Sequence, residues 1–216
     1  MNTTETFRRR PAAFAARSAR RPARPWTLRS GARPTALAAL GAALLASAPA
    51  AAELKVGDPA PGFEADAARA GEPFRFVLSE ALKKGPVVLY FYPKAFTKGC
   101  TIEANAFAEA TPQYDTLKAT VIGVSGDDIE TLKGFSVTEC RNRFAVAADP
   151  GGRIMKSYEA SMPFVEGYAK RISYVISPQG RILYAWSSMS PEEHVPNTLA
   201  ALRRWSEQPE KPAGGN

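Results

Sequence analysis

Val87-Val88-Leu89-Tyr90-Phe91-Tyr92-Pro93-Lys94-Ala95-Phe96-Thr97-Lys98-Gly99-Cys100-Thr101 is the stretch on which the reading of this chain turns. Residues 86–92 are nearly all apolar and rich in β-branched and aromatic side chains, which predicts a central strand buried on both faces. Pro93 ends it. A polar turn containing Gly99 follows, and Cys100 opens a predicted helix over 102–117. A cysteine at a helix N-terminus sits at the positive end of the macrodipole, beside backbone N–H groups without helical partners, which favours its thiolate. Thr97, three residues earlier, brings its hydroxyl to the sulfur's side of the turn. Such a thiol is suited to attack something small and polar.

Outward from this segment, residues 55–63 are punctuated by proline and glycine and predict an extended arm. A short strand is expected over 74–78, with Ser79 capping a turn over 80–84. Downstream, residues 119–124 predict a second buried strand, and Asp127 or Asp128 would cap a helix over 129–144. Asp149-Pro150-Gly151-Gly152 marks a turn before a short helical piece over 153–158, where Arg153 is read as a surface residue. Strands over 172–177 and 181–186 predict a hairpin, and a last helix is expected over 191–206. Strands alternating with helices, closed by a hairpin and a helix, indicate an α/β fold: a three-layer sandwich with a central mixed sheet. The domain is placed at 53–208, after a leader at 1–52 and before a disordered tail at 209–216.

The leader carries nine arginines, no lysine and one acidic residue, a charge of +8 against +7 for the whole chain. The rest is close to neutral, and a nucleic-acid reading from net charge has no support. Basic residues up to Arg33, an apolar stretch over 35–45 and Ala48-Pro49-Ala50-Ala51-Ala52 read as a cleavable export signal, with a bacterial periplasm as the expected destination. An uncleaved anchor and an organelle transit peptide are the competing readings. About 164 residues remain, enough for one domain with a real core. Beyond the leader no stretch is apolar enough to span a membrane. An exported compartment permits a disulfide between Cys100 and Cys140, the two cysteines of the chain.

Pro93, Thr97 and Cys100 form a P-x-x-x-T-x-x-C signature that, with the strand before it, resembles the peroxiredoxin family in its bacterioferritin-comigratory or Q-type branch. Val56-Gly57-Asp58-Pro59-Ala60-Pro61, Gly123-Val124-Ser125, Asp149-Pro150-Gly151-Gly152 and Arg171-Ile172-Ser173-Tyr174-Val175-Ile176 fall in family order across nearly all of the mature chain. The resemblance implies a thioredoxin-like fold and a thiol peroxidase acting on hydrogen peroxide or organic hydroperoxides without metal or organic cofactor. It makes Cys100 the peroxidatic nucleophile. Thr97 and the backbone around Gly99 would align the peroxide, Arg171 would stabilise the thiolate and the departing oxygen, and Pro93 would shield the sulfur. Lys170, next to Arg171, competes for that role as a strand-end cation.

Many Q-type members carry a resolving cysteine five residues after the first, where this chain has Asn105. Others place it on the following helix, which makes Cys140 the candidate; flanking Glu139 and Arg141 favour a partly exposed site. The resulting disulfide would be reduced by a thioredoxin-like partner. A monomer or weak dimer is implied. The alternatives are a buried Cys140 thiol, a non-catalytic thioredoxin-fold module with a structural Cys100–Cys140 disulfide, and a redox sensor. His194, the only histidine, is read as solvated or helix-packing rather than as part of a metal site. The absence of C-x-x-C argues against a disulfide exchanger.

Overall fold

The computed structural model describes residues 53–207, so the expected leader and the tail lie outside the described residues. Seven strands form one sheet: β1 (Glu64–Arg69), β2 (Glu72–Val77), β3 (Val87–Phe91), β4 (Thr120–Ser125), β5 (Ala145–Ala148), β6 (Ile172–Ile176) and β7 (Ile182–Ser187). Their order across the sheet is β2-β1-β5-β4-β3-β6-β7. β3, β4 and β5 run parallel, while β1–β2, β1–β5, β3–β6 and β6–β7 are antiparallel pairs, so the sheet is mixed as expected.

Among the described residues, five helices cover it: α1 (Leu78–Leu82), α2 (Lys98–Thr116), α3 (Ile129–Thr138), α4 (Arg153–Ser157) and α5 (His194–Ser206), the last entered through a 3₁₀ turn at Pro191–Glu193. The period of two along β3 divides the core into two layers. Val87, Leu89 and Phe91 pack with Leu78, Ile154, Met155 and Tyr158 from α1, α4 and the turn after α4. Val88 and Tyr90 face Cys100 and Phe107 of α2, Leu132 and Phe135 of α3, and Leu199 and Leu202 of α5. The β3 side chains are buried throughout, the burial on both faces that the sequence predicts for a central strand. This is the three-layer thioredoxin-like sandwich.

The differences from expectation have physical reasons. β1 (EADAAR) and β5 (AVAA) are alanine-rich and carry little strand signal of their own; pairing with neighbours makes them strands. The β1–β2 connection is a two-residue turn with Ala70 at φ 53° and Gly71 at φ 81°, the left-handed pair of a tight hairpin. α3 ends at Thr138 rather than at 144. Cys140 N–H bonds back to the Phe135 carbonyl and Asn142 N–H to that of Ser136. Arg141 and Asn142 then turn the chain through left-handed φ of 50° and 60° into β5. Asp128, not Asp127, caps α3, accepting from Thr131 N–H at 2.8 Å. Ser79 caps nothing, since α1 begins after Val77 without a side-chain cap.

Candidate active site

Register brings the site together. Phe91 pairs with Val124 on one side and with Ile172 on the other. The chain therefore leaves β3 between the end of β4, which carries Asp127 just beyond it, and the start of β6, which Arg171 precedes. Asp127, buried, gathers the segment after Pro93: its carboxylate accepts from Ala95 N–H at 2.7 Å, Lys94 Nζ at 2.9 Å and Ser125 Oγ at 2.9 Å. Phe96 follows with a left-handed φ of 62° and sets its ring edge-on against Phe135. Such a conformation in a non-glycine residue persists only where surrounding contacts hold it. The loop is thus fixed from both ends before α2 starts.

Cys100 occupies the first turn of α2 and is 1% exposed. Arg171 Nη2 donates to its Sγ at 3.4 Å. The first N–H groups of a helix have no acceptor one turn back, so the sulfur sits at the positive end of α2 with the guanidinium donating to it. Gly99 permits the approach: a Cβ there would stand 3.0 Å from Arg171 Nη2. Arg171 Nε is buried with no partner among the described residues. Lys170 turns away and donates to the Glu159 carbonyl at 3.0 Å, so of the two neighbouring cations only Arg171 reaches Cys100. Thr97 is the residue before α2, but its side chain does not cap the helix; its exposed hydroxyl donates to the Lys94 carbonyl at 3.0 Å, leaving oxygen lone pairs free. Pro93 is half-buried at the strand exit. Arg153 is exposed, as expected.

Two further residues belong to this site, and the sequence assigned neither of them to it. Glu103, one helical turn after Cys100 and on the same face of α2, is fully buried and pairs through Oε2 with Arg171 Nη1. Burial pushes its carboxyl up to about 8, despite the opposing pull of Arg171. His194 is not solvated: it is completely buried at the start of α5. Its Nδ1 lies 2.8 Å from Ser173 Oγ and 3.6 Å from Glu103 Oε1, and its Nε2 lies 2.9 Å from the Ser188 carbonyl. Burial lowers its basicity, and Arg171 adds to that. The only advance signal was the spacing of Glu103 three residues after Cys100; nothing local marks His194.

Cys140 corrects the expectation of partial exposure. It is 0% exposed, among the aromatic side chains of the layer that also holds Cys100. Its charged neighbours point outward instead: Asn105 Nδ2 donates to Glu139 Oε2 at 3.2 Å, and Arg141 Nη1 to Glu109 Oε1 at 3.0 Å. These two contacts clasp the Cys140 turn to α2. Burial, reinforced by Glu139, pushes the Cys140 thiol far up. Both cysteines are free thiols. A cleft of about 500 Å³ between β2, α1 and α2, lined in part by Phe74, Phe76, Arg143 and Phe144, lies apart from the sulfur and contains no cysteine. Among the described residues no group of three or more His, Cys, Asp or Glu side chains is placed to hold a metal ion.

Known proteins resemble this chain in sequence and fold. Peroxiredoxin Q from wheat (Triticum aestivum), a chloroplastic protein, is 34% identical over 122 residues, which is 56% of this chain and 56% of that protein. The chain thus aligns with little more than half the length of that curated relative. The crystal structure of the peroxidoxin BcpB from Mycobacterium tuberculosis is 31% identical and superimposes with a TM-score of 0.63, over 70% of this chain and 97% of that one. The bacterioferritin comigratory protein of Xanthomonas campestris is 25% identical, with a TM-score of 0.60 over 67% of this chain and 92% of that one. The AhpC/TSA family model matches residues 56–185. That span takes in the strand, the helix opening and the arginine that together build the Cys100 site, and the chain belongs to the AhpC/TSA family.

Proposed function

We propose that the protein is a thiol peroxidase that reduces hydrogen peroxide and organic hydroperoxides at Cys100. The observation that carries this reading is the Arg171 guanidinium donating to Cys100 Sγ at 3.4 Å in the first turn of α2. The thiolate sulfur attacks one peroxide oxygen and the O–O bond breaks. The departing oxygen leaves with the bonding pair, takes up a proton and becomes water or an alcohol; Cys100 becomes a sulfenic acid. The developing negative charge would be met by Arg171 and by the N–H groups around Gly99 and Cys100, in a site that excludes water. Thr97, with free lone pairs on its hydroxyl, would hold the peroxide's proton end, while Pro93 shapes the loop that covers the sulfur. The bacterioferritin comigratory protein of Xanthomonas campestris has alkyl peroxide reduction activity, which supports organic hydroperoxides as a substrate class here.

Resolution falls to Cys140. Its thiol condenses with the sulfenic acid, expelling water and forming a disulfide that a thioredoxin-like dithiol reduces by exchange. Since Cys140 is buried and clasped, the end of α3 must open first. The left-handed residues Arg141 and Asn142 make this turn a strained place, suited to opening. Residues 1–52 fit export to a bacterial periplasm, and the catalytic unit is a monomer or weak dimer. Cell fractionation and light scattering test these two points.

Stopped-flow addition of peroxide to the reduced protein, followed by intact mass, tests the function. Rapid reaction with loss of two hydrogens supports the peroxidase and the Cys100–Cys140 disulfide. Rapid reaction with gain of oxygen keeps the peroxidase and removes Cys140 from the cycle. Cys100→Ser abolishes peroxide consumption; retained consumption would move the nucleophile elsewhere. A chain that does not react, and whose disulfide resists thioredoxin-like reductants, would instead be a thioredoxin-fold binding module.

A further inference from the structure

The cleft of about 500 Å³ opens where β4 and β5 begin, at the end of the sheet opposite Cys100. Buried Phe76, Val121 and Phe144 line it, and Phe74, 43% exposed on the edge strand β2, extends this apolar wall. The charges around it are unbalanced. Arg75 is held by Glu64 and Asp66, and Glu80 by Lys83, none of these partners lining the cleft. That leaves Arg69, Lys84 and Arg143 against the single carboxylate of Asp115, and none of the four forms an ion pair among the described residues. A concave apolar cleft with a few charged groups is the usual form of a small-molecule site. Unpaired cations beside an apolar floor select a negative head on an apolar tail.

The same wall belongs to the turn that carries Cys140. Arg143 N–H donates to the Cys140 carbonyl at 2.9 Å, and Arg69 Nε to the Asn142 carbonyl at 3.5 Å. Phe144 sets its ring edge-on to those of Tyr90 and Phe107, in the aromatic layer that buries Cys140. The turn over 140–144 therefore cannot swing out without taking Arg143 and Phe144 from the cleft.

We propose that this cleft binds one free anionic amphiphile, a carboxylate on an apolar tail, and that its occupant holds the Cys140 turn closed. The tail lies on Phe74, Phe76 and Phe144, and the carboxylate is met by the unpaired cations of the wall. The concave shape fits one molecule rather than the face of a bilayer. A ligand that binds the closed form alone lowers the open fraction by a factor of one plus the ratio of its concentration to its dissociation constant. Disulfide formation slows accordingly, while Cys100, at the other end of the sheet, is untouched. The consequence for the cycle rests on Cys140 being the resolving thiol, as in the proposed function; binding and closure do not.

Decanoate is the probe, titrated into the reduced full-length protein and followed by NMR. Saturable one-to-one binding is expected, with shifts at the amides of Phe74, Phe76 and Phe144. Decyltrimethylammonium, the same tail with a positive head, should bind about tenfold more weakly. Lys84→Gln with Arg143→Gln should weaken decanoate binding about fivefold, and Phe74→Ala, at an exposed position, to a similar extent. Closure is read without peroxide. Iodoacetamide reaches the buried Cys140 only when its turn opens, and peptide mass separates that reaction from alkylation of Cys100. Decanoate at about ten times its dissociation constant should slow Cys140 alkylation about tenfold and leave Cys100 unchanged. The Lys84→Gln/Arg143→Gln variant should lose most of that slowing at the same concentration. No saturable binding, equal binding of the two amphiphiles, shifts confined to other parts of the protein, an unchanged Cys140 rate, or equal slowing at both thiols would each overturn the proposal. Failure of peroxide turnover with these results intact would count against the peroxidase alone.

Discussion

Cys100 and Cys140 are buried to the same degree and share one hydrophobic layer, yet their surroundings differ in kind. Cys100 stands in the first turn of a helix, with a guanidinium at 3.4 Å and a neighbouring acid that burial drives toward its neutral form. Cys140 stands past the end of a helix, among aromatic rings, with Glu139 the charge beside it; burial and that charge push its thiol up. Burial by itself therefore does not decide what a thiol does. The sign of the nearest charge and the end of the helix it occupies do.

The strongest way to break this contrast is to remove the cation. Arg171→Gln should slow the first reaction with peroxide about 100-fold, the usual cost of losing one preorganised donor to developing negative charge. Stopped-flow rates on a protein with unchanged circular dichroism check it. An unchanged rate would mean that the guanidinium is structural. Acting on the other thiol should spare the first turnover: Cys140→Ser should react once at the normal rate, lose more than about tenfold in steady cycling, and accumulate over-oxidised Cys100. The same change places a hydroxyl in an apolar pocket and should cost about 1–3 kcal/mol in urea unfolding. Normal cycling with a dithiol donor would remove Cys140 from the reaction.

Smaller changes sharpen the comparison. Gly99→Ala should push Arg171 away by a few tenths of an ångström and slow attack several-fold with little loss of stability, because the flexible end of a side chain is what must yield. A large drop in melting temperature would point to backbone strain instead. The least effect belongs to the surface clasps. Removing both Asn105–Glu139 and Arg141–Glu109, through Asn105→Ala with Glu109→Ala, should free the Cys140 turn. Disulfide formation should speed by about two- to threefold, in line with about a quarter of a kcal/mol for each of the two contacts. No change in the rate of mass loss after peroxide would place the slow step elsewhere.

Much of the fold was legible. The strand before Pro93, the helix opening at Cys100, the hairpin after Arg171 and the mixed three-layer sheet follow from local periodicity and turn chemistry. β1 and β5 were not legible, because runs such as EADAAR and AVAA have no pattern until neighbouring strands supply their hydrogen bonds. At the site, the thiol and its turn were readable from the residues themselves, and the arginine only through the family resemblance. The exposure of Cys140 was not: Glu139 and Arg141 are polar, but they turn outward to bind α2 and bury the sulfur between them.

By itself the sequence determined which thiol opens a helix, since a strand, a proline, a glycine-bearing turn and a helix are all local events. It also determined the family, through motifs kept in order. Only the tertiary structure decided what stands around that thiol. Residues 103, 171 and 194 come from a helix, the start of a strand and a second helix. They meet because sheet register and helix packing bring distant segments together, and burial there raises the Glu103 carboxyl and lowers the basicity of His194.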